Sequence, residues 1–370
     1  VRSRRELAAF LHLPWRVYAN DPQWVPPLLA ERRAFVDPRR HPFYLHGAAE
    51  KFLALRGGEP VGRLLASDDP RYNAEHGTNL GAFGLFECLD DAAAASALLD
   101  AAAEWLTQRG RTAIWGPIDY STNYPCGLLV EGFDTPPRVM MNHNPPYYER
   151  LLEGWGLERA KDLYSWWFED ELNVIDRWRA RAERLARRGH IRVRPFRVAD
   201  PAADIEACKR VYHAAWRKNW GFVPMTDAEF DYLAKGLLHL AVPELLLLAE
   251  VAGEVVGFSM TLPDFNEAMR PLNGRLFSWG LPWGWYQFRR NCKRIKTARM
   301  AALGVIDRYR RRGVLEMLIL HSLHHGKHVL GYTGAELGWT LEDNDTVNQI
   351  IAAVGGRLYK RYRIYQRQLD

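Results

Sequence analysis

The sequence has few cysteines, no long apolar run and no low-complexity tract, and each shortage removes a class of protein. Its four cysteines, Cys88, Cys126, Cys208 and Cys292, are far apart and form no CxxC pair. They suggest neither a zinc ribbon nor a disulfide framework, and they fit a reducing cytoplasm. The longest apolar stretch, residues 237–251, is broken by His239, Pro243, Glu244 and Glu250, so no segment is long and clean enough to cross a bilayer as a helix. The chain begins at Val1, and nothing in it has the basic-then-apolar form of a secretory signal. No stretch has the polar, charge-rich composition of a disordered tract.

What is present is a globular composition with a basic balance. Of 370 residues, 48% are hydrophobic and 25% charged, enough for two domains that each bury a core. The net charge of +6 favours an anionic partner: nucleic acid, a phospholipid surface or a phosphorylated cofactor.

The order of elements repeats. The first half predicts a helix at 4–13, a hairpin within 51–67, strands at 83–88 and 112–115, a helix at 92–108, another over the PPYYERLLEGWG segment, and a strand at 163–168. The second half predicts a hairpin at 245–249 and 255–262, a strand at 300–305, a helix ending near Gly326, a strand at 336–341, a helix opening at Asn344 and a strand at 359–366. Asn344 stands as far before Gly356 as Asn144 stands before Gly156. These are two tandem copies of one α/β unit, with mixed, mainly antiparallel sheets flanked by helices. The expected boundaries are 1–170, a charged linking helix at 171–189, and 190–370 with an insertion at 265–296.

The copies differ at one turn. In the second, the strand runs into Arg310-Arg311-Arg312-Gly313-Val314-Leu315 at the start of a helix. The first N–H groups of a helix have no partner within it, and they and the helix dipole favour an anion such as phosphate. The matching turn of the first copy, Glu87-Cys88-Leu89-Asp90-Asp91, is acidic, lacks glycine and should repel a pyrophosphate. The anion is therefore expected in the second copy alone.

The order of elements and this turn resemble the Gcn5-related N-acetyltransferase (GNAT) superfamily, whose acyl-CoA motif is Arg or Gln, two residues, Gly, one residue, then Gly or Ala. Arg310 and Gly313 match, while Leu315 replaces the small residue and is expected to narrow or shift the pyrophosphate cradle. Asn344 through Gly356 is similar to the superfamily's second signature, although Ala352 stands where a tyrosine often protonates the leaving thiolate. More narrowly, the 216–224 segment, Asn142-His143-Asn144-Pro145-Pro146-Tyr147-Tyr148 and Gly355-Gly356-Arg357-Leu358-Tyr359-Lys360 resemble a family of bacterial tandem-domain acyltransferases to which ceramide synthases belong. The resemblance implies a degenerate first domain, acyl-CoA as co-substrate without a metal, and transfer of an acyl group to an amine, a sphingoid base being the foremost candidate. A soluble amine or amino acid, or a silent acyl-CoA-binding module, are the rivals.

Acyl transfer to an amine needs a bound thioester, a base for the amine, a donor for the oxyanion and an acid for the departing sulfur. The thioester is expected along Leu303-Gly304-Val305, with Gly304 as a bulge or as a packing glycine. Glu336 is the first candidate base, with Glu342 and Asp343 as alternatives, and Tyr359 is the candidate acid. Asn344 is expected to bond the pantetheine arm or to cap its helix. Trp216, Asn219, Trp220, Phe222 and Trp339 are candidates for the acceptor side, with a core plug as the other reading of the 216–224 loop. His324 and His325, adjacent on a helix, point in different directions and form no metal site; a solvated helix end is expected there.

The insertion carries Trp279, Trp283, Trp285, Tyr286 and Phe288, followed by a basic block from Arg289 and Arg290 to Lys296. Indoles prefer the water–lipid boundary and cations beside them favour anionic headgroups. Peripheral contact with the inner face of the cytoplasmic membrane is one expectation, and a folded lid the other. Nucleic-acid binders usually interleave stacking residues with charges, whereas here the two stand in separate blocks.

Overall fold

A computed structural model describes residues 1–170, 173–238, 240–277 and 281–369, with the backbone alone at 181, 182, 185, 186, 238 and 311. The chain opens with α1 (Arg4–Val17), held at its start by a capping box between Ser3 and Glu6, and α2 (Leu29–Phe35). There follow β1 (Ala48–Arg56), β2 (Glu59–Asp68), α3 (Pro70–His76), β3 (Leu80–Cys88), α4 (Ala92–Thr107), β4 (Ala113–Gly116), β5 (Leu128–Glu131), α5 (Tyr148–Gly154) and β6 (Glu158–Phe168). Alanine-rich α4 puts Ala95, Leu98, Leu99, Ala102 and Leu106 on one face, in a core with Leu64, Phe83 and Ile114.

The second half runs α6 (Val174–Gly189), β7 (Ile191–Pro195), α7 (Ala202–Trp216), α8 (Asp227–Leu238), β8 (Leu246–Val251), β9 (Glu254–Pro263), α9 (Phe265–Met269) and α10 (Trp283–Cys292). It ends with β10 (Thr297–Val305), α11 (Val314–His324), β11 (Gly334–Leu341), α12 (Asp345–Ala353) and β12 (Arg357–Gln368). The repeat extends to the hairpin turns. Gly57-Gly58 and Ala252-Gly253 are both two-residue loops with positive φ throughout, at 60° and 85° in the first and 52° and 83° in the second.

The chain forms two compact units that do not follow the sequence as two successive halves. The first comprises Val1–Leu163, Ala268–Asn291 and Lys360–Asp370, and the second Tyr164–Glu267 and Cys292–Tyr359. The insertion is tied into the first unit by Trp15, whose indole N–H donates to Asn273 Oδ1 at 2.6 Å, and by Leu29 N–H, which donates to the Gly274 carbonyl at 3.1 Å. The end of β12 joins the same unit by antiparallel pairing with β4, from Tyr365↔Gly116 to Gln368↔Ala113. Within the first unit the strand order is β1-β2-β3-β4-β12, and within the second β6-β11-β10-β9-β8-β7.

Each unit contains a parallel pair that parts. In the first, β3 and β4 are paired only from Leu80↔Ala113 to Ala82↔Trp115, although β3 runs on to Cys88. In the second, β10 and β11 are paired only from Thr297↔Gly334 to Met300↔Leu337, although both continue. The first gap is filled by its own chain: Ile118 N–H donates to the Phe83 carbonyl at 2.7 Å, and Asp119 Oδ1 accepts from Leu85 N–H at 2.9 Å.

Beside the second gap, the register of β10 against β9 shifts between Met300 and Ala302. The extra residue inverts the alternation of side chains. Before it, Met300 packs with Ile319 and Leu323 of α11; after it, Leu303 and Val305 face that helix while Ala302 turns to the aromatic cluster around Tyr212.

Candidate active site

The turn between β10 and α11 is built for close approach to the backbone. Asp307–Arg312 forms a short 3-10 turn, and Gly313 takes φ +88°, a left-handed conformation that suits glycine. Helix α11 then begins with no side-chain cap, and Met317 N–H donates to the Gly313 carbonyl at 3.1 Å. The N–H groups of residues 313–316 therefore have no partner within the helix. Around them, Arg312 stacks over Tyr309 at 5.4 Å, while Arg308 lies over the same ring at 4.9 Å and pairs with Glu254 at 2.9 Å.

Arg310 is spent on the turn itself. Its guanidinium donates to the Ala215 carbonyl at 2.6 Å and the Val305 carbonyl at 3.3 Å, and pairs with Asp307 at 3.0 Å. The side chain of Arg311 lies outside the described residues. Leu315 packs against the cores around Leu318 and Ile319, so its side chain is directed into the domain.

In the first unit the equivalent helix end is occupied. Asp91 is the N-cap of α4, its Oδ1 accepting from Ala94 N–H at 3.1 Å, and its other oxygen accepts from Arg56 Nε at 2.8 Å. A carboxylate already sits where an anion would bind.

At the closed end of the second gap stands a buried charge pair. Arg299 and Glu336 are Cα partners across β10 and β11, 4% and 0% exposed, with Arg299 Nε donating to Glu336 Oε1 at 2.9 Å. The Tyr359 hydroxyl donates to Glu336 Oε2. Trp167 roofs this group: its ring lies 5.7 Å from that of Tyr359 and fills the space beside Gly334, where an added Cβ would meet it at 2.3 Å. The sequence candidates Glu336 and Tyr359 are thus brought together. Arg299 is not among the sequence candidates; its one sequence signal is a lone arginine inside an apolar strand, and its pairing with Glu336 comes from the strand register.

Other candidates have other positions. Gly304 is paired opposite Phe258 without irregularity, and a Cβ there would meet the Trp216 ring at 2.4 Å; it is a packing glycine, and the bulge lies earlier, beyond Met300. Leu303 and Val305 turn their side chains to α11. Trp216 and Phe222 belong to the aromatic core, 5.4 and 5.1 Å from Tyr212, so at these two positions the core plug replaces the acceptor-side reading. Asn219, Trp220 and Trp339 are half-buried.

Asn344 occupies the N-cap position of α12 but its side chain makes no capping bond. Asn348 ties the strand end instead, donating to the Leu341 and Glu342 carbonyls at 3.0 and 3.3 Å and accepting from Thr340 Oγ1 at 2.6 Å. Glu342 is half-buried in the turn after β11. The helix end at His324 is not simply solvated: Arg179 approaches His324 Nδ1 at 2.9 Å, and the ring of His328 lies 4.9 Å from that of His324.

In the first unit, the insertion displays a large apolar surface. Phe277, Leu281, Trp283, Trp285 and Tyr286 are 45–65% exposed, whereas Phe288, whose ring stacks 6.0 Å from that of Trp285, is buried. Arg289 lies 5.9 Å above the Trp285 ring, and Arg290 is exposed. Trp279 lies outside the described residues.

No protein-family model matches the chain. It is 36% identical over 375 residues to a protein named bacterial ceramide synthase from Caulobacter vibrioides, covering 100% of this chain and 96% of that one. To protein YghO of Escherichia coli K12 it is 32% identical over 371 residues, covering 99% and 94%. Among solved structures, a tandem GNAT protein from the clavulanic acid biosynthesis pathway matches with a TM-score of 0.59 at 13% identity, over 100% of this chain and 96% of that one, a likeness of fold. From its full-length identity to the first of these, and with a tandem GNAT fold, the chain belongs to the bacterial ceramide synthase family.

Proposed function

We propose that the protein is an acyl-CoA-dependent N-acyltransferase whose second unit binds the thioester, and that its acceptor is the amine of a sphingoid base, giving a ceramide. The carrying observation is the contrast between the two equivalent helix ends: α11 is uncapped behind a left-handed glycine, whereas α4 is capped by Asp91. The pyrophosphate of the acyl-CoA binds the N–H groups at the start of α11, supported by Arg312. Its pantetheine arm lies along the edge of β10 that β11 leaves beyond Met300.

The amine attacks the thioester carbonyl, forming the C–N bond as the π pair moves to oxygen. Backbone N–H groups of β10 facing the gap stabilise this oxyanion. The attacking nitrogen must lose a proton. Tyr359 takes it at the phenol oxygen while passing its own proton to Glu336 Oε2, and Arg299 fixes Glu336 in place. Collapse of the intermediate breaks the C–S bond, and the proton returns by the same route to the leaving thiolate. The exposed aromatics of α10 and the basic residues beside them support docking on an anionic membrane, from which a lipid amine is drawn.

Thiol release from palmitoyl-CoA, measured against a panel of amines, tests the reading. Release that requires sphinganine or its 3-keto form supports it. Equal release from acetyl-CoA with a soluble amine removes the sphingoid acceptor, and no release with any amine removes the enzyme.

A further inference from the structure

We propose that a cavity of about 430 Å³ in the second unit is the seat of the fatty acyl chain, an inference that rests on the acyltransferase reading above. Its walls are mainly apolar, formed by Phe168, Ala298, Met300, Leu323, Ala335 and Leu337. Four hydroxyl-bearing residues, Thr261, Ser322, Tyr332 and Thr333, also line it; Ser322 shares a 3.0 Å hydrogen bond with Ser259, and Thr261 Oγ1 is buried without a bond among the described residues. Lys327 and Asp170, paired at 2.7 Å, are also among its lining residues. At roughly 30 Å³ for a water-sized group, the volume has room for on the order of ten methylenes.

The position of this cavity carries the argument more than its composition. Met300 and Leu337 are the last partners in the β10–β11 register and both line it. From Val305 back to Met300, β10 extends about 17 Å, so an arm lying along it from the phosphate turn carries the thioester to the closed end of the gap. Beyond that point the paired strands leave no passage between them, and a long acyl chain must leave by one face of the sheet. Side chains alternate across a strand, so Arg299 and Glu336 stand on one face and Met300 and Leu337 on the other. An alkyl chain pressed on a buried ion pair would satisfy neither partner, whereas the α11 face offers the apolar cavity. The chain is accommodated there, and the charged face is left to the amine. One wall of this cavity therefore sets which acyl lengths the enzyme accepts.

The test compares kcat/KM for butyryl-, octanoyl-, palmitoyl- and stearoyl-CoA with sphinganine as acceptor. Ala298→Phe and Ala335→Phe, which fill the cavity, are expected to lower the palmitoyl-to-octanoyl ratio at least about tenfold. Leu323→Ala, which enlarges it, is expected to move the preference to longer chains, and it decides the matter alone if the phenylalanine variants do not fold. A wild-type profile that is flat with chain length, or a profile that folded variants leave in place, overturns the cavity assignment while the acyltransferase reading stands. A wild-type protein that releases no thiol from any of the four, with sphinganine or with any other amine, overturns both.

Discussion

Arg299 and Glu336 face each other in register across the last paired stretch of β10 and β11, 2.9 Å apart and almost wholly buried. Removing one partner leaves an uncompensated buried charge, which typically costs about 3–5 kcal/mol, whereas replacing both by apolar groups is often close to neutral. Arg299→Met is therefore expected to lower unfolding stability by roughly that amount, and Arg299→Met/Glu336→Leu to recover most of it. Thiol release is expected to stay lost in the double variant. Denaturant unfolding and an acyl-CoA assay on the same preparations separate the structural part of this pair from its part in proton transfer.

At the end of α4, Asp91→Ala removes an N-cap and is expected to cost about 1 kcal/mol. Because this helix end belongs to the unit that holds no cofactor in our account, acyl-CoA affinity should be unchanged. Chemical denaturation and calorimetric titration with palmitoyl-CoA check the two halves of the expectation.

Much of this was legible before the fold was known. Element order, the hairpin turns and the acidic-versus-basic contrast between the turns at 87–91 and 310–315 all follow from local residue patterns. The same patterns cannot show which oxygen already occupies a helix end, so the capping role of Asp91 emerges only in three dimensions. Nor do they show that the extra residue after Met300 turns Gly304 from the expected bulge into a seat for Trp216. Arg299 was hidden for a different reason. An arginine in a strand usually points to solvent, and only the register with Glu336 makes it internal. Long-range partition was equally invisible: residues 268–291 are assigned to the first unit by contacts such as Trp15 with Asn273, separated by most of the sequence.

Trp283 and Trp285 are 59% and 45% exposed, so a Trp283/Trp285→Ala variant should fold with little change in stability. Flotation on vesicles containing an anionic phospholipid is expected to fall sharply, and residual binding to weaken further at high salt as Arg289 and Arg290 are screened. Unchanged flotation would leave α10 without a membrane role.

The first unit should lose stability in mild acid through His41. Burial, and then the nearby His46, push this imidazole down from its usual value to about 4, and it is packed 4.8 Å from both Phe35 and Tyr120. The unfolded chain binds its proton more readily than the folded one, so the contribution is complete above about pH 6.5 and is lost progressively as the pH falls towards about 4. His41→Asn retains an acceptor for Phe43 N–H and should flatten the pH dependence of Tm over this interval relative to wild type. Parallel curves for the two proteins would assign the acid sensitivity to other groups.

Acyl-CoA is expected to bind once, at the start of α11. Calorimetric titration of palmitoyl-CoA into the wild-type protein and into Gly313→Asp tests it most directly, because the substitution gives α11 the carboxylate that Asp91 already gives α4. One molecule is expected to bind per wild-type chain, and none to the folded variant. Two molecules per chain, or wild-type affinity in Gly313→Asp, would contradict it.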